Sequence, residues 1–156
     1  MKAFVYFNLH RKCWSVRALE GAHKGLIVAY ADVAVMDGVE FRVSQKGRDR
    51  VIREGRKNVH AGAVGNLTHL GGHVSLRRRG VYDLSDYGLY HLDLPIDDYV
   101  ASYGAVRGVE PVGYNPYRHH SGRPASFYSK VDDRDVRSAG AAVLTHKRTV
   151  LALQAA

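Results

Sequence analysis

Residues 25–44, GLIVAYADVAVMDGVEFRVS, carry the strongest strand pattern in the chain. Two apolar runs rich in β-branched residues flank Asp37 and Gly38, a pair that suits the positive φ angles of a type I′ hairpin turn. From Val39 to Val43 apolar and polar side chains alternate, which is the period of a strand with one face on the core. The segment therefore predicts a β-hairpin that turns at Asp37-Gly38.

Similar patterns occur at both ends of the chain. Residues 2–9 and 13–19 predict an N-terminal hairpin, and residues 139–145 and 149–154 predict a C-terminal hairpin that turns at residues 146–148. Because the connections between these strands are too short for helical crossovers, we expect the strands to pair antiparallel.

A glycine-rich segment, VHAGAVGNL at residues 59–67, predicts a thin strand. Its glycines supply little side chain for packing, which is typical of a bulge or of a close approach by another backbone or a ligand. The next residues, 68–80 (THLGGHVSLRRRG), predict a loop that contains a short strand at HVSLRR.

The best helix pattern lies at residues 44–55, where Ser44 can cap the first turn and Gly55 can end the last. Few residues of this segment are apolar, so the helix would lie on the surface and expose its Lys and Arg side chains. Residues 96–103 leave room for a second short helix.

These elements predict one domain over residues 1–156, of the α+β class. It would hold a mainly antiparallel sheet of roughly seven to nine short strands and the basic surface helix at 44–55. No apolar run approaches the roughly 20 residues needed to cross a bilayer, so we expect no membrane contact. With one cysteine, Cys13, and no secretion signal, the cytoplasm is the expected compartment.

The chain has a net charge of +8, and its charges are unevenly distributed. Residues 1–81 and 111–156 are net basic, whereas residues 82–110 are net acidic. A basic surface attracts polyanions because binding releases their counterions. The alternative for the same charges is a solvated surface that keeps the protein soluble.

We therefore predict a binding protein that contacts nucleic acid or a nucleoprotein target through phosphate contacts from Lys and Arg. The predicted contact residues of the basic helix and the arginine run are Lys46, Arg50, Arg53, Arg56, Lys57, Arg77 and Arg79. A second predicted contact lies in a loop where aromatic side chains stand beside hydrogen-bond donors, and it comprises Tyr117, Arg118, His119 and His120.

An enzymatic alternative rests on histidine. A metal-independent site that processes phosphodiesters or nucleotides needs two histidines as acid and base and a cation for the charge that develops on phosphorus. His60, His10 and Lys12 supply this set if the first strand lies beside residues 58–67.

No metal or cofactor is predicted. His69 and His73 are four residues apart, but two glycines separate them, whereas zinc ligands at this spacing normally lie on a helix. The glycine-rich stretches match neither the dinucleotide-binding nor the P-loop pattern. Cys13 beside Trp14 is typical of a packed apolar residue rather than a nucleophile.

Three stretches of the chain resemble small uncharacterised proteins encoded by tailed bacteriophages. They are residues 7–19 (FNLHRKCWSVRAL), 54–67 (EGRKNVHAGAVGNL) and 113–127 (GYNPYRHHSGRPASF). The resemblance implies a phage protein that acts in the host cytoplasm, on host machinery or within the particle. It implies no activity and no functional residue.

A further alternative is a protein-binding role, as an inhibitor of host machinery or a virion component. Its interface would be the acidic, tyrosine-rich segment 82–103, because tyrosine is enriched at the energetic centres of protein interfaces.

Overall fold

The structure is a computed structural model that describes residues 1–43, 46, 49, 53–54, 61–93, 95–102, 108–115 and 126–154. The strands in chain order are β1 (Lys2–Asn8), β2 (Cys13–Ala18), β3 (Ile27–Val43), β4 (Ala61–Leu76), β5 (Tyr90–His91), β6 (Gly108–Asn115), β7 (Ser126–Ser129), β8 (Ser138–Thr145) and β9 (Thr149–Gln154). A helix, α1, spans Ile96–Ser102, and short 3-10 turns lie at Leu84–Tyr87 and His146–Arg148. The strands form one sheet in the order β5-β4-β1-β2-β3-β8-β9-β6-β7.

The predicted α+β class is wrong, because the described chain is mainly β. Helix α1 confirms the short helix near 96–103. The basic helix predicted at 44–55 is not established: of that segment the structure describes only Lys46, Asp49, Arg53 and Glu54, each in a helical conformation. The class was misjudged because two segments predicted as a turn and a loop are parts of long continuous strands. No helix in the described part of the chain is long and apolar enough to cross a bilayer.

Strand β3 runs straight through the predicted hairpin turn at Asp37-Gly38. Gly38 has a φ of 57°, and the register between β3 and β4 shifts between Asp37 and Glu40, so the pair forms a bulge within one strand. A glycine at positive φ serves a bulge as well as a hairpin turn, and this local requirement misled the prediction. Across the bulge, a Cβ on Gly65 of β4 would lie 2.7 Å from the Asp37 carbonyl oxygen.

Strand β4 likewise continues through most of the predicted loop at 68–80, as far as Leu76. The two residues Gly72 and His73 stand opposite the single residue Asp32 of β3, and Gly72 has a φ of 66°. The Asp32 carboxylate accepts a hydrogen bond from the His73 backbone nitrogen at 2.8 Å. Gly72 and His73 therefore form a second bulge in β4.

The two long strands and the N-terminal hairpin form a closed ring of pairings. The predicted hairpin of β1 and β2 is confirmed, with Val5 opposite Val16. Strand β2 pairs with the first half of β3, β3 pairs with β4, and the first half of β4 returns to β1, where Gly62 lies opposite Tyr6. A closed ring leaves no free sheet edge in this part of the molecule.

The second half of β3 continues the sheet through the confirmed C-terminal hairpin of β8 and β9. These strands are buried on both faces, which explains their nearly continuous apolar sequences. In β3, Ala34 and Met36 face the main core, whereas Val33 and Val35 face a second cluster covered by α1 through Ile96 and neighbouring side chains.

At its far end the sheet curls back towards β3. The Phe127 ring of β7 lies 5.1 Å from the Phe41 ring of β3, although β8, β9 and β6 stand between these strands in the sheet order. The Phe41 backbone nitrogen also donates to the Arg137 carbonyl oxygen at 2.9 Å. This curl encloses a space between β2, β3, β6, β7 and the β8–β9 turn.

Closure of the ring generates a stability prediction. A Cβ on Gly62 would lie 1.9 Å from the Val5 carbonyl oxygen, so Gly62→Ala must push β1 away from β4. We expect it to lower the free energy of unfolding by about 2 kcal/mol or more, measured by urea denaturation. Gly108→Ala is the matched control, because a Cβ there meets no atom within 4 Å. Equal stability of the two variants would contradict this account of the ring.

Candidate functional site

Two exposed arginines lie against one tyrosine ring on the outer face of the closed ring of strands. The Arg11 guanidinium carbon is 4.1 Å from the centroid of the Tyr30 ring, and that of Arg77 is 5.3 Å from it. Both distances are within the roughly 6 Å over which a cation is attracted to an aromatic face. We call Arg11, Tyr30 and Arg77 the arginine–tyrosine cluster.

Sheet register brings the three residues of this cluster together. Tyr30 lies on β3 between two small residues, Ser15 on β2 and Ser75 on β4, so short neighbours flank its ring. Arg77 directly follows β4, and its backbone nitrogen donates to the Val28 carbonyl oxygen at 2.9 Å.

Arg11 belongs to the turn between β1 and β2, which a side chain holds in place. The Asn8 side-chain oxygen accepts hydrogen bonds at 3.0 Å from the backbone nitrogens of His10 and Arg11. The Lys12 backbone nitrogen donates to the Asn8 carbonyl oxygen at 2.8 Å. The turn thus presents three consecutive basic side chains, all of them exposed.

The cluster is electrostatically available to an anion. Among the described residues neither Arg11 nor Arg77 forms an ion pair, whereas Arg42 is paired with Glu40 and Arg134 with Glu110. An unpaired guanidinium keeps its full set of donors for a phosphate, which it can bind through two parallel hydrogen bonds.

One acidic group and one thiol lie near the cluster. Burial raises the pKa of the Cys13 thiol, the Asp32 carboxylate raises it further, and Arg11 opposes both effects. The half-buried thiol therefore stays protonated at neutral pH.

Of the predicted nucleic-acid contacts, the structure describes Lys46, Arg53, Arg77 and Arg79, and all four side chains are exposed. Arg77 joins the arginine–tyrosine cluster, which sequence reasoning did not identify. The other predicted contacts, Arg50, Arg56, Lys57, Tyr117, Arg118, His119 and His120, lie outside the described residues. One basic surface that unites these positions stays a prediction.

The predicted catalytic set is described only in part. Strands β1 and β4 are neighbours, as the set requires, and His10 and Lys12 are exposed in the β1–β2 turn. His60 lies outside the described residues, so an acid–base pair with His10 stays a prediction. Among the described residues, no group of three or more His, Cys, Asp or Glu side chains is placed to hold a metal ion.

A cavity of about 200 Å³ lies in the space that the curled sheet encloses. Five aromatic side chains line it: Trp14, Phe41, Tyr114, Phe127 and Tyr128. Three basic side chains, Lys130, Lys147 and Arg148, line it as well, and no carboxylate is among its described lining residues. Sequence reasoning missed this site, because its described lining residues come from seven separate strands and the β8–β9 turn.

Two of the lining groups are partly removed from water. Arg148 lies with its guanidinium carbon 4.7 Å from the centroid of the Tyr114 ring. Burial raises the pKa of the Tyr114 hydroxyl to about 12, although Arg148 opposes the shift, and burial lowers the pKa of Arg148. The buried Tyr114 hydroxyl has no hydrogen-bond partner among the described residues.

Comparison with known proteins identifies the family. The profile of the Mycobacterium phage L5 gene 82 protein matches residues 1–88, more than half of the chain. The chain belongs to the gene 82 protein family. The resemblance to phage proteins expected from the sequence is thus confirmed, and the arginine–tyrosine cluster lies within the matched residues.

The gene 82 protein of Mycobacterium phage L5 is 45% identical to this chain over 76 residues. The match covers 45% of this chain and 60% of the relative, so the chain spans less than two thirds of the length of the gene 82 protein it matches. No solved structure matches the chain. The family is described by its phage and its gene, and this description assigns no activity to its members.

The unpartnered hydroxyl of Tyr114 generates a prediction. Removing a buried, unsatisfied hydroxyl while keeping the ring relieves a desolvation cost, so Tyr114→Phe should raise the free energy of unfolding by about 1 kcal/mol at neutral pH. The wild type should also lose stability as pH rises from 10.0 to about 12, because tyrosine ionises earlier in the unfolded chain than in the folded one. The advantage of the variant should therefore grow over this range.

The measurement is urea denaturation at a series of pH values. Tyr82→Phe serves as the control, since that side chain is 88% exposed. A Tyr114→Phe variant less stable than the wild type at neutral pH would mean that the hydroxyl has a partner.

Proposed function

We propose that this phage protein binds nucleic acid and that the arginine–tyrosine cluster is a principal contact. The observation that supports the proposal is the approach of two exposed, unpaired guanidinium groups to one tyrosine ring. Arginine combined with an aromatic face is the usual means of binding single strands, because the phosphate meets the guanidinium and the base stacks on the ring.

Electrostatics support the same function. The chain carries a net charge of +8, and Lys12 and His10 adjoin the cluster in the β1–β2 turn. Each phosphate that a cation neutralises releases counterions, so affinity falls steeply as salt is added. We place this activity in the host cytoplasm, where a phage protein meets both phage and host nucleic acid.

A protein-binding role is the second candidate, and one observation favours it. Tyr82 and Tyr90, from the acidic segment 82–103, are 88% and 70% exposed. Asp83 and Asp86 fix the intervening 3-10 turn through a capping box. Exposed tyrosines on a rigid turn suit a protein partner with a basic surface.

The nucleic-acid proposal predicts the behaviour of a double variant. Arg11→Ala combined with Arg77→Ala should weaken binding of a single-stranded oligonucleotide by more than about tenfold at low salt. The slope of log affinity against log salt should become shallower by about 1.4, because each phosphate contact on a single strand contributes about 0.7. Fluorescence anisotropy of a labelled oligonucleotide measures both quantities.

Control variants at Arg42 and Tyr30 distinguish direct contact by the cluster from a general effect of net charge. Arg42→Ala also removes one exposed arginine, but Glu40 already pairs with it, so its affinity should stay close to that of the wild type. Tyr30→Phe should bind as the wild type does, whereas Tyr30→Ser should lose the stacking contribution of about 1–3 kcal/mol. If Arg42→Ala weakens binding as much as Arg11→Ala does, the cluster is not the contact and net charge alone explains the binding.

A further inference from the structure

We propose that the cavity walled by Trp14, Tyr114 and Phe127 binds a single nucleotide, with its planar base inside and its phosphate held by Lys147, Arg148 and Lys130. This site is separate from the arginine–tyrosine cluster. The inference does not depend on that cluster binding nucleic acid.

The size of the cavity suits one planar ring system. Its volume is about 200 Å³. An apolar protein cavity of about 150 Å³ accommodates benzene, so a nucleobase fits where a folded oligonucleotide or a long acyl chain does not. The sugar and phosphate would then remain at the mouth of the cavity.

The aromatic walls are arranged for a flat ligand. The Phe127 ring lies 5.2 Å from the Tyr114 ring and 5.1 Å from the Phe41 ring, both at tilted angles. Trp14 is 2% exposed, and its indole nitrogen donates to the Thr145 carbonyl oxygen at 3.0 Å, which fixes the plane of the ring. Rings that are held in place stack on a base with little loss of their own conformational freedom.

A glycine holds one wall of the cavity in position. Gly113 of β6 lies opposite Tyr128 of β7, and a Cβ on Gly113 would come within 2.5 Å of the Tyr128 ring. The tyrosine therefore lies across the bare backbone of β6 instead of standing away from the strand.

The polar groups of the cavity favour a ligand that has both a hydrogen-bond acceptor and a negative charge. The Tyr114 hydroxyl stays protonated at neutral pH, so it is a donor without an acceptor among the described residues. A ring nitrogen or carbonyl of a base would satisfy it. Because the described lining holds three cations and no carboxylate, the site favours an anion over a neutral or cationic ring.

The β8–β9 turn directs two of the cations. Lys147 and Arg148 have φ angles of 55° and 61°, and consecutive residues in this left-handed conformation are uncommon outside glycine. A tight β-hairpin connection requires positive φ angles, so the connection itself fixes the directions in which these two side chains leave the backbone. Lys130, at the end of β7, lines the cavity together with this turn.

The chain contains one tryptophan, Trp14, so its fluorescence reports directly on the cavity. We expect nucleoside 5′-monophosphates to change this emission saturably, with a dissociation constant below about 1 mM, and isothermal titration calorimetry to give the same constant. Ribose 5-phosphate lacks the base and an unphosphorylated nucleoside lacks the charge, so each should bind at least about tenfold more weakly.

Variants test the position of the phosphate without disturbing the core. Lys130→Ala combined with Lys147→Gly removes two exposed cations, and glycine accepts the positive φ at position 147. This double variant should weaken nucleotide binding at least about tenfold, whereas Lys24→Ala combined with Lys2→Ala, which removes two exposed lysines elsewhere, should not. Comparable weakening in both double variants would overturn the assignment of the phosphate to this turn.

A nucleotide can reach the cavity free or as part of a strand, and two further titrations distinguish these sources. If mononucleotides change the Trp14 emission saturably, the ligand is a free nucleotide. If only a single-stranded oligonucleotide changes the emission, the ligand is a base inserted from a strand. Absence of any change in Trp14 emission and of any heat with both probes would overturn the proposal. The Arg11→Ala/Arg77→Ala variant should still bind mononucleotides. The experiment therefore distinguishes a failure of the proposed nucleic-acid contact at the arginine–tyrosine cluster from a failure of the proposed nucleotide site in the cavity.

Discussion

The close backbone contact between β1 and β4 is the constraint on which the rest of the structure depends. Strand β4 pairs with β1 and β3 at once, and at Gly62, where a Cβ would lie 1.9 Å from the Val5 carbonyl oxygen, only glycine fits between them. The resulting ring places the β1–β2 turn beside Tyr30. It also turns Trp14 inwards, where it forms a wall of the cavity. Both candidate sites thus depend on the ring that Gly62 allows to close.

The sequence predicted the strands at both ends of the chain because their apolar residues recur with a period of two. The prediction was wrong where two different local structures require the same backbone conformation. Asp37-Gly38 satisfies the positive φ of a hairpin turn and of a bulge equally well, and only the partner strand decides between them. The glycines of β4 were predicted to mark a bulge or a close approach by another backbone or a ligand, and at Gly62 the close approach is by the backbone of β1. The identity of the partner strand depends on long-range pairing, which a local sequence pattern does not contain.

The same distinction applies to the candidate sites. Arg77 was predicted as a contact because the local charge is high, and it does lie in an accessible cluster. Its partners were missed because Arg11 is 66 residues away in sequence and reaches Tyr30 only through the register of β1, β2 and β3. The cavity could not be predicted from local sequence either. Its aromatic lining residues have the pattern of ordinary core residues when each strand is considered alone.

The two sites combine arginine with tyrosine in different surroundings, and this difference suits them to different tasks. Arg11 and Arg77 are exposed, so solvent and salt screen their attraction for an anion. Arg148 is partly buried against Tyr114, where weaker screening strengthens the attraction for an anion that enters. Trp14 and Ser15 are adjacent on β2 and point to opposite faces, one into the cavity and the other beside Tyr30. Strand β2 therefore contributes one residue to the surroundings of each candidate site.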